Sequence, residues 1–220
     1  MSKTLKLLNK EIKLSSSPLS FFFLAFTLMT FIPGYPILIS QFFICLGLFQ
    51  TFQRGREAND IIYTVLLPVP KKDVVKARYI FVLFIESIDF ILITIFTLIR
   101  MIFLKDSAPY PTNALMNANL FYLGFSLLIL ALFNSVFVAG FFKTGYYFSK
   151  PFITFIVLSF LIVLASEILH HLPNMHFLSC RGFENLELQL IFLFSSLAIF
   201  VVLTILGQAY SQKKFCKIDL

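Results

Sequence analysis

Four long apolar runs constrain this 220-residue chain more than any other feature of its sequence. A helix that crosses the hydrocarbon core of a bilayer needs about 20 mostly apolar residues, and four segments meet this requirement: residues 79–103, 118–142, 151–170 and 188–210. The composition agrees, because 59% of the residues are hydrophobic and 13% are charged. In a soluble domain about 45–50% of the residues are hydrophobic and about 25% are charged. The sequence therefore predicts an all-α integral membrane protein and argues against a soluble or nucleic-acid-binding one.

Two shorter apolar runs precede these four. Residues 19–32 and 37–52 are separated by Pro33-Gly-Tyr-Pro36, and two prolines at a turn break a helix. Each run is short for a full crossing, and the pair is too long for one. The stretch is either a tight hairpin of two spans or one kinked span.

The distribution of Lys and Arg favours the hairpin, since short cytoplasmic loops collect these residues. With two spans before residue 53, 15 of the 18 Lys and Arg lie in cytoplasmic segments, and Arg100, Lys105 and Arg181 remain at or beyond the outer boundary. A single span would translocate the four N-terminal lysines. We therefore expect six transmembrane helices with both termini in the cytoplasm and these cytoplasmic segments: residues 1–17, 53–78, 143–150 and 211–220.

The N-terminal segment has the pattern of a helix that lies on the membrane surface. Leu5, Leu8 and Ile12 share one helical stripe, and lysines lie opposite. Such a helix buries its apolar face in the membrane interface and turns its lysines toward anionic lipid. The alternative is a basic, frayed terminus.

The loop predicted between the second and third spans, residues 53–78, is called the elbow below. It holds six cations and three acids. Ile61, Ile62, Val65 and Leu66 have the spacing of one apolar stripe, which predicts a short amphipathic helix. Two prolines end this helix, and Pro70 suits the first turn of the next one. The alternative is a solvated linker with ordinary positive-inside charge.

Catalytic motifs are missing from the sequence. Residues 140–145 have the glycine spacing of a P-loop, but Tyr146 and Tyr147 stand where Lys and Ser or Thr are required. Glu167, His170 and His171 could share a helical face as metal ligands, although histidines at a helix end near headgroups are more often solvated. We therefore expect no catalytic residues, metal or cofactor in this chain. The 30 Phe residues indicate lipid-facing packing rather than chemistry.

Several segments together resemble the small permeases of type-2 ABC exporters. In the elbow these are Gly-Arg-Glu-Ala-Asn-Asp-Ile-Ile-Tyr-Thr at 55–64 and Leu-Pro-Val-Pro-Lys-Lys-Asp-Val-Val-Lys-Ala-Arg at 67–78. Outside it, Pro33-Gly-Tyr-Pro36, Lys143-Thr-Gly-Tyr146 and Lys-Phe-Cys-Lys-Ile-Asp-Leu at 214–220 also match. The resemblance covers the whole chain.

The resemblance implies one permease domain over residues 1–220, which pairs with a second permease as a homodimer or heterodimer. The expected parts of this domain are an interfacial segment 1–17, a hairpin 19–52, the elbow 53–78, four spans within 79–210 and a cytoplasmic tail 211–220. Separate ABC ATPase subunits, which hold ATP and Mg, would dock on the elbow in the cytoplasmic membrane of a bacterium. The elbow residues that would couple to the ATPase are Arg56, Glu57, Asn59, Asp60, Lys71, Lys72 and Asp73. Some exporters of this type carry amphipathic peptides such as phenol-soluble modulins, and others have no known substrate.

Two acids lie inside the third predicted span. Glu86 and Asp89 are three residues apart on one helical face, and a charge at mid-bilayer costs about 2.5–3.5 kcal/mol on insertion scales, so each should face a partner or water. One hypothesis places them, with Asn134, on the translocation path or between two permeases. The other holds that they are protonated or hydrogen-bonded to Asn134 or to a hydroxyl. Glu167 is a further candidate, for an outer gate.

A second class of function stays open at this point. The chain could be a self-contained membrane protein without an ATPase, such as a secondary transporter, an immunity protein or a scaffold. A secondary transporter is disfavoured, because the sequence shows no inverted repeat and no pair of interrupted helices in matching halves.

Overall fold

A computed structural model describes residues 7, 9–15, 17–66, 68–145 and 147–218. The fold is all-helical, with 79% of the residues in helices and no strand among those described. The prediction of an all-α chain is confirmed. The main helices, in chain order, are α1 Glu11–Ser15, α2 Pro18–Phe31, α3 Ile39–Glu57, α4 Asp60–Val65, α5 Lys71–Leu104, α6 Leu120–Thr144, α7 Ser149–Leu169 and α8 Leu186–Phe215. Two short 3₁₀ helices, Tyr110–Thr112 and His176–Ser179, lie in the loops before α6 and α8.

Helices α5, α6, α7 and α8 are each long and apolar enough to cross a membrane. Their bounds agree with the four long predicted spans to within two residues or extend past them. Helix α5 has 34 residues, which is about 51 Å at 1.5 Å per residue, so it is much longer than the hydrocarbon core of about 30 Å. A helix of this length therefore extends beyond the core at one or both ends or crosses it with a tilt.

Helices α2 and α3 form an antiparallel hairpin around the predicted break. The turn between them contains Gly34, whose φ of 73° suits glycine. The Ser20 hydroxyl donates to the Gly47 carbonyl at 2.6 Å. A Cβ on Gly47 would lie 2.8 Å from that of Phe23, so only glycine permits this closeness. The predicted helix break is therefore present.

Helix α6 is the centre of the bundle. In its most apolar stretch 72% of the residues are buried, against 17–33% for α5, α7 and α8. Phenylalanines fill the space around it: Phe49 and Phe152 stack with ring centroids 3.8 Å apart, and Phe137 packs on both Phe52 and Phe133. Sequence analysis assigned the phenylalanines to lipid contact. That is wrong for this cluster, because aromatic pairing inside the bundle buries them.

The predicted interfacial helix lies partly outside the described residues, since 1–6 and 8 are not among them. The described part, α1, is helical, and Leu7 is buried. Lys10 does not point away from the protein as the predicted stripe requires; its ammonium lies between two carboxylates. The sequence pattern could not show this, because one of these partners lies 50 residues further along the chain.

Candidate functional site

A buried polar contact joins three of the long helices. Asn134 Nδ2 on α6 donates to Glu86 Oε2 on α5 at 2.9 Å and to Thr204 Oγ1 on α8 at 3.2 Å. All three side chains are at most 5% exposed. Asn134 lies in a π-helical segment of α6, Phe133–Val138, and such segments are frequent at functional sites. In apolar surroundings a polar group needs a partner, so these bonds fix how the three helices are arranged.

The backbone of the same segment carries a second contact. Tyr79 donates its hydroxyl to the Asn134 carbonyl at 3.1 Å and lies 3.0 Å from the Ser211 hydroxyl. Gly207 on α8 faces the same carbonyl, and a Cβ there would lie 3.1 Å from it. The π-helical segment therefore packs between a tyrosine near the start of α5 and a glycine on α8.

Asp89 belongs to a neighbouring polar group with different partners. It is fully buried, and the Gln41 side chain on α3 and the Tyr122 hydroxyl on α6 lie beside it. The Tyr122 hydroxyl is engaged, 3.2 Å from that of Thr30 and 3.3 Å from that of Ser40. Gln41 approaches Asp89 without reaching hydrogen-bond geometry, and among the described residues neither side chain has a hydrogen-bond partner. This group therefore keeps unused donors and acceptors in the interior, which is costly and uncommon.

The two acids thus differ in their surroundings. Glu86 is bonded to Asn134, as the packing hypothesis proposed, and it also borders a cleft of about 220 Å³ between α5, α6 and α8. Asp89 has no such bond. Neither acid lies on a lipid-exposed face of the described bundle. A role of Glu86, Asp89 and Asn134 in translocation stays a prediction.

An ion-pair network holds the elbow at the base of the bundle. Arg78 at the start of α5 contacts Glu11 at 2.9 Å and Asp60 at 3.0 Å. Lys10 contacts the same two acids, at 3.1 Å and 2.5 Å, and donates to the Thr64 hydroxyl at 2.8 Å. Glu11 and Arg78 are buried, while Asp60 and Lys10 keep side-chain exposures of 14% and 18%. The network therefore ties three segments together: α1, α4 and α5.

Helix α4 presents an apolar surface to the outside. Ile61 packs inward, but Ile62, Tyr63 and Leu66 are 41%, 66% and 78% exposed. The predicted stripe of four apolar residues therefore does not seal α4 against the bundle, because the inner side of this six-residue helix is occupied by Ile61 and Thr64. Clustered exposed apolar side chains mark interaction surfaces.

The other predicted coupling residues are dispersed over the elbow. The Arg56 guanidinium lies 4.8 Å from the Phe148 ring centroid, and Glu57 accepts a hydrogen bond from Gln53 at 3.1 Å. Asn59 has a φ of 52° at the joint before α4. Lys71 donates to the Ile218 carbonyl at 2.6 Å and so holds the C-terminal tail, whereas Lys72 is exposed and Asp73 lies in the first turn of α5.

Sequence reasoning named Asp60 but missed the other three members of the network. Lys10, Glu11 and Arg78 read as ordinary charges near the ends of predicted spans. The available signal was Glu11, the one acid among the first 50 residues, since an isolated acid in a basic segment suggests a specific cation partner.

The residues considered for an outer gate or a metal bond to the loop before α6, and a gating role of Glu167 stays a prediction. Glu167 Oε2 accepts the Met116 backbone N–H at 3.0 Å. Both ring nitrogens of His170 face backbone carbonyls, those of Ser166 and Ala114, at 3.2 and 3.1 Å. His170 is buried, so the expectation of a solvated histidine is wrong at this position; the loop before α6 covers it. No group of three potential metal ligands occurs in the described parts of the chain.

These features define a multi-pass α-helical membrane protein with a polar interior and a structured elbow. A family model described as "ABC-2 family transporter protein" matches residues 3–215. The chain therefore belongs to this family of membrane transport components, as its resemblance to type-2 permeases implied. No curated protein and no solved structure matches the chain.

Proposed function

We propose that this chain is the permease subunit of an ATP-driven exporter in a bacterial cytoplasmic membrane. It crosses the membrane six times, pairs with a second permease and is driven by separate ABC ATPase subunits that hold ATP and Mg. The family supports a permease-type transport role, and the remaining elements rest on the geometry and charge described below.

Six crossings require α2 and α3 to span the membrane as a pair. Residues Phe23–Phe31 of α2 form a 3₁₀ helix, which rises about 2.0 Å per residue rather than 1.5 Å. The 14 residues of α2 therefore reach roughly 25 Å, and the part of α3 that precedes the charged elbow, residues 39–52, reaches about 21 Å. The hydrocarbon core is about 30 Å thick, and local thinning of the bilayer accommodates a shorter stretch. The stretched geometry accounts for how so short an apolar run could cross.

Cysteine labelling in intact cells tests this topology. Ser107→Cys lies in an exposed loop after α5, and Tyr63→Cys lies on exposed α4. We expect a membrane-impermeant maleimide to label Ser107→Cys directly and Tyr63→Cys only after permeabilisation. Labelling of Tyr63→Cys in intact cells would show that the first two helices do not form a pair of spans.

The observation that carries the ATPase assignment is the exposed apolar surface of α4, held by buried ion pairs. Ile62, Tyr63 and Leu66 form this surface. A rigid short helix beyond the bilayer can pass a movement of a bound ATPase directly to α5, because Asp60 at its start is bonded to Arg78. Exposed aromatic and apolar anchors typically dominate binding at such interfaces. The charged elbow residues, with Arg56, Glu57 and Asp73 among them, would surround these anchors.

Charge insertion tests the docking surface. Tyr63→Asp should reduce the amount of ATPase that co-purifies with the permease at least tenfold, about the effect of losing one interface anchor (~1.4 kcal/mol or more). Phe183→Asp is the matched control, because it places the same charge on an exposed aromatic residue in the loop before α8. Equal ATPase recovery with both variants would exclude α4 as the docking site.

Glu86, Asp89 and Asn134 would then line the translocation path or the contact between two permeases. The cleft beside Glu86 supports this location, since it opens from the polar interior toward the surface of the bundle. An amphipathic peptide is one substrate class that the resemblance to type-2 exporters offers, and other permeases of this type have no known substrate. The alternative of a self-contained membrane protein is disfavoured by the family match over residues 3–215.

A further inference from the structure

Three cationic side chains from distant parts of the sequence line one small cleft at the end of the bundle opposite the elbow. They are Arg100 in the last turns of α5, Lys105 directly after it, and Arg181 in the loop before α8. No acid lines this cleft. Within the described part of the chain, none of the three forms an ion pair with a carboxylate within 4.0 Å. The remaining lining residues are Met101, Leu104, Tyr110, Asn117, Ala118 and Gly182.

Two of the cations are held in place by bonds that leave their charge uncompensated. Arg100 is buried, donates from Nη1 to the Thr30 carbonyl at 2.6 Å, and stacks on the Tyr110 ring at 4.5 Å. Arg181 donates from Nη2 to the Pro111 carbonyl at 2.6 Å. Carbonyls and a ring face fix the orientation of a guanidinium without neutralising it. The site is therefore preorganised and positive.

The approach of the third cation depends on backbone geometry. Gly182 has a φ of 56°, and a Cβ there would lie 3.4 Å from Cδ of Lys105. The loop can therefore pass close to the end of α5, which places the Lys105 stem against the backbone that carries Arg181. Two independent loops thus converge on one cleft.

Three like charges without a counter-charge repel one another, and a bound anion removes that repulsion. In the six-span topology, Arg100, Lys105 and Arg181 are also the three cations at the outer side of the membrane, where Lys and Arg are otherwise depleted. We infer that this cleft binds a phosphate group, as carried by the headgroup of an anionic phospholipid. Arginine is the residue best suited to phosphate, because its planar guanidinium can donate two parallel hydrogen bonds.

The place of the cleft suits a lipid phosphate. Its volume is about 20 Å³, which accommodates little more than one water-sized group, so one phosphate oxygen enters the cleft while the rest of the headgroup stays at its mouth. Met101 and Leu104 give it an apolar side at the end of a membrane-spanning helix. Acyl chains can lie along that helix while the phosphate contacts the cations. Inorganic phosphate shares this chemistry and is the soluble alternative.

Thermal unfolding of the purified full-length chain in a non-ionic detergent tests the inference without any ATPase, so its result is independent of the proposed export function. Dilauroyl phosphatidylglycerol should raise the unfolding temperature in a saturable way, and the matching phosphatidylcholine should not. Inorganic phosphate at constant ionic strength forms a second titration. Stabilisation by phosphatidylglycerol supports a lipid site, and stabilisation by inorganic phosphate alone supports a phosphate site with a soluble ligand.

The variants locate the effect. Lys105→Gln together with Arg181→Gln should weaken the apparent affinity at least about tenfold, because two charge-assisted contacts are lost. Lys105→Gln alone alters an exposed side chain, so it should leave the fold unchanged and weaken the apparent affinity less than the double change. Lys105→Arg keeps the charge and should retain binding. Lys76→Gln together with Lys150→Gln is the control, with two exposed lysines on other parts of the surface. No saturable stabilisation of the wild type, or equal affinities for the Lys105 variants and the control, would overturn the inference.

Discussion

Removal of the Arg78 guanidinium should release the N-terminal helix from the elbow. Arg78 is the only residue that contacts both acids of the network from α5, with Glu11 at 2.9 Å and Asp60 at 3.0 Å. Arg78→Met keeps much of the side-chain volume and removes the charge, together with the guanidinium that lies 5.3 Å from the Phe52 ring centroid. Glu11, only 2% exposed, then keeps one cation partner, Lys10.

The size of the effect follows from the burial of these charges. Loss of one partner of a buried ion pair costs about 3–5 kcal/mol, and the lower end applies because Lys10 still contacts both acids. About 3 kcal/mol corresponds to roughly a 100-fold change in the equilibrium between the closed and the locally open state. The opening should be confined to α1 and α4, since the rest of the bundle does not depend on this network.

Hydrogen exchange measured by mass spectrometry can detect this opening. Backbone amides of residues 9–15 should exchange about 100-fold faster in Arg78→Met than in the wild type, while those of α6 stay unchanged. Lys76→Met is the matched control, because it removes a cation that is exposed and lies two residues away on the same helix. Exchange in Arg78→Met no faster than in Lys76→Met would refute the idea that the network holds α1.

Three further outcomes are expected. Glu86→Gln together with Asp89→Asn should insert and assemble normally, because Gln can still accept the hydrogen bond from α6. Substrate efflux per assembled complex should fall at least tenfold (~1.4 kcal/mol), and unchanged efflux would assign the pair to packing. Glu57→Lys together with Asp73→Lys should leave membrane insertion intact and uncouple ATP hydrolysis from transport, and normal coupling would remove these charges from the docking surface. Burial raises the pKa of the Cys180 thiol to about 11, so at pH 8 this thiol stays protonated. It should react with maleimide far more slowly than the exposed cysteine of the C-terminal tail, and equal rates would show that the loop before α8 is open.

The long spans could be predicted from the sequence because lipid imposes one simple requirement, a run of about 20 apolar residues. The helix break at Pro33 and Pro36 was equally accessible, since proline acts locally. The polar contact between Glu86 and Asn134 was named as one of two options. Helix spacing brings out residues that share a face, but it does not identify which helix lies opposite.

The ion-pair network could not be predicted from local sequence patterns. Glu11, Asp60 and Arg78 come from three segments, and their contacts depend on how the hairpin folds back on α5. The burial of the phenylalanines inside the bundle was not predicted for the same reason, because an apolar residue on a membrane helix can face either lipid or another helix. Long-range packing decides between these two environments, and spacing along one helix carries no information about it.

We propose that a separate ABC ATPase drives this permease through the elbow. Native mass spectrometry of the complex extracted from its own membranes, with a tag on this chain, measures the composition directly. We expect an assembly of two permease chains with two ABC ATPase subunits, which loses the ATPase subunits in Tyr63→Asp. Recovery of this chain without any ATPase, from membranes in which it transports its substrate, would rule out an ATPase-driven permease.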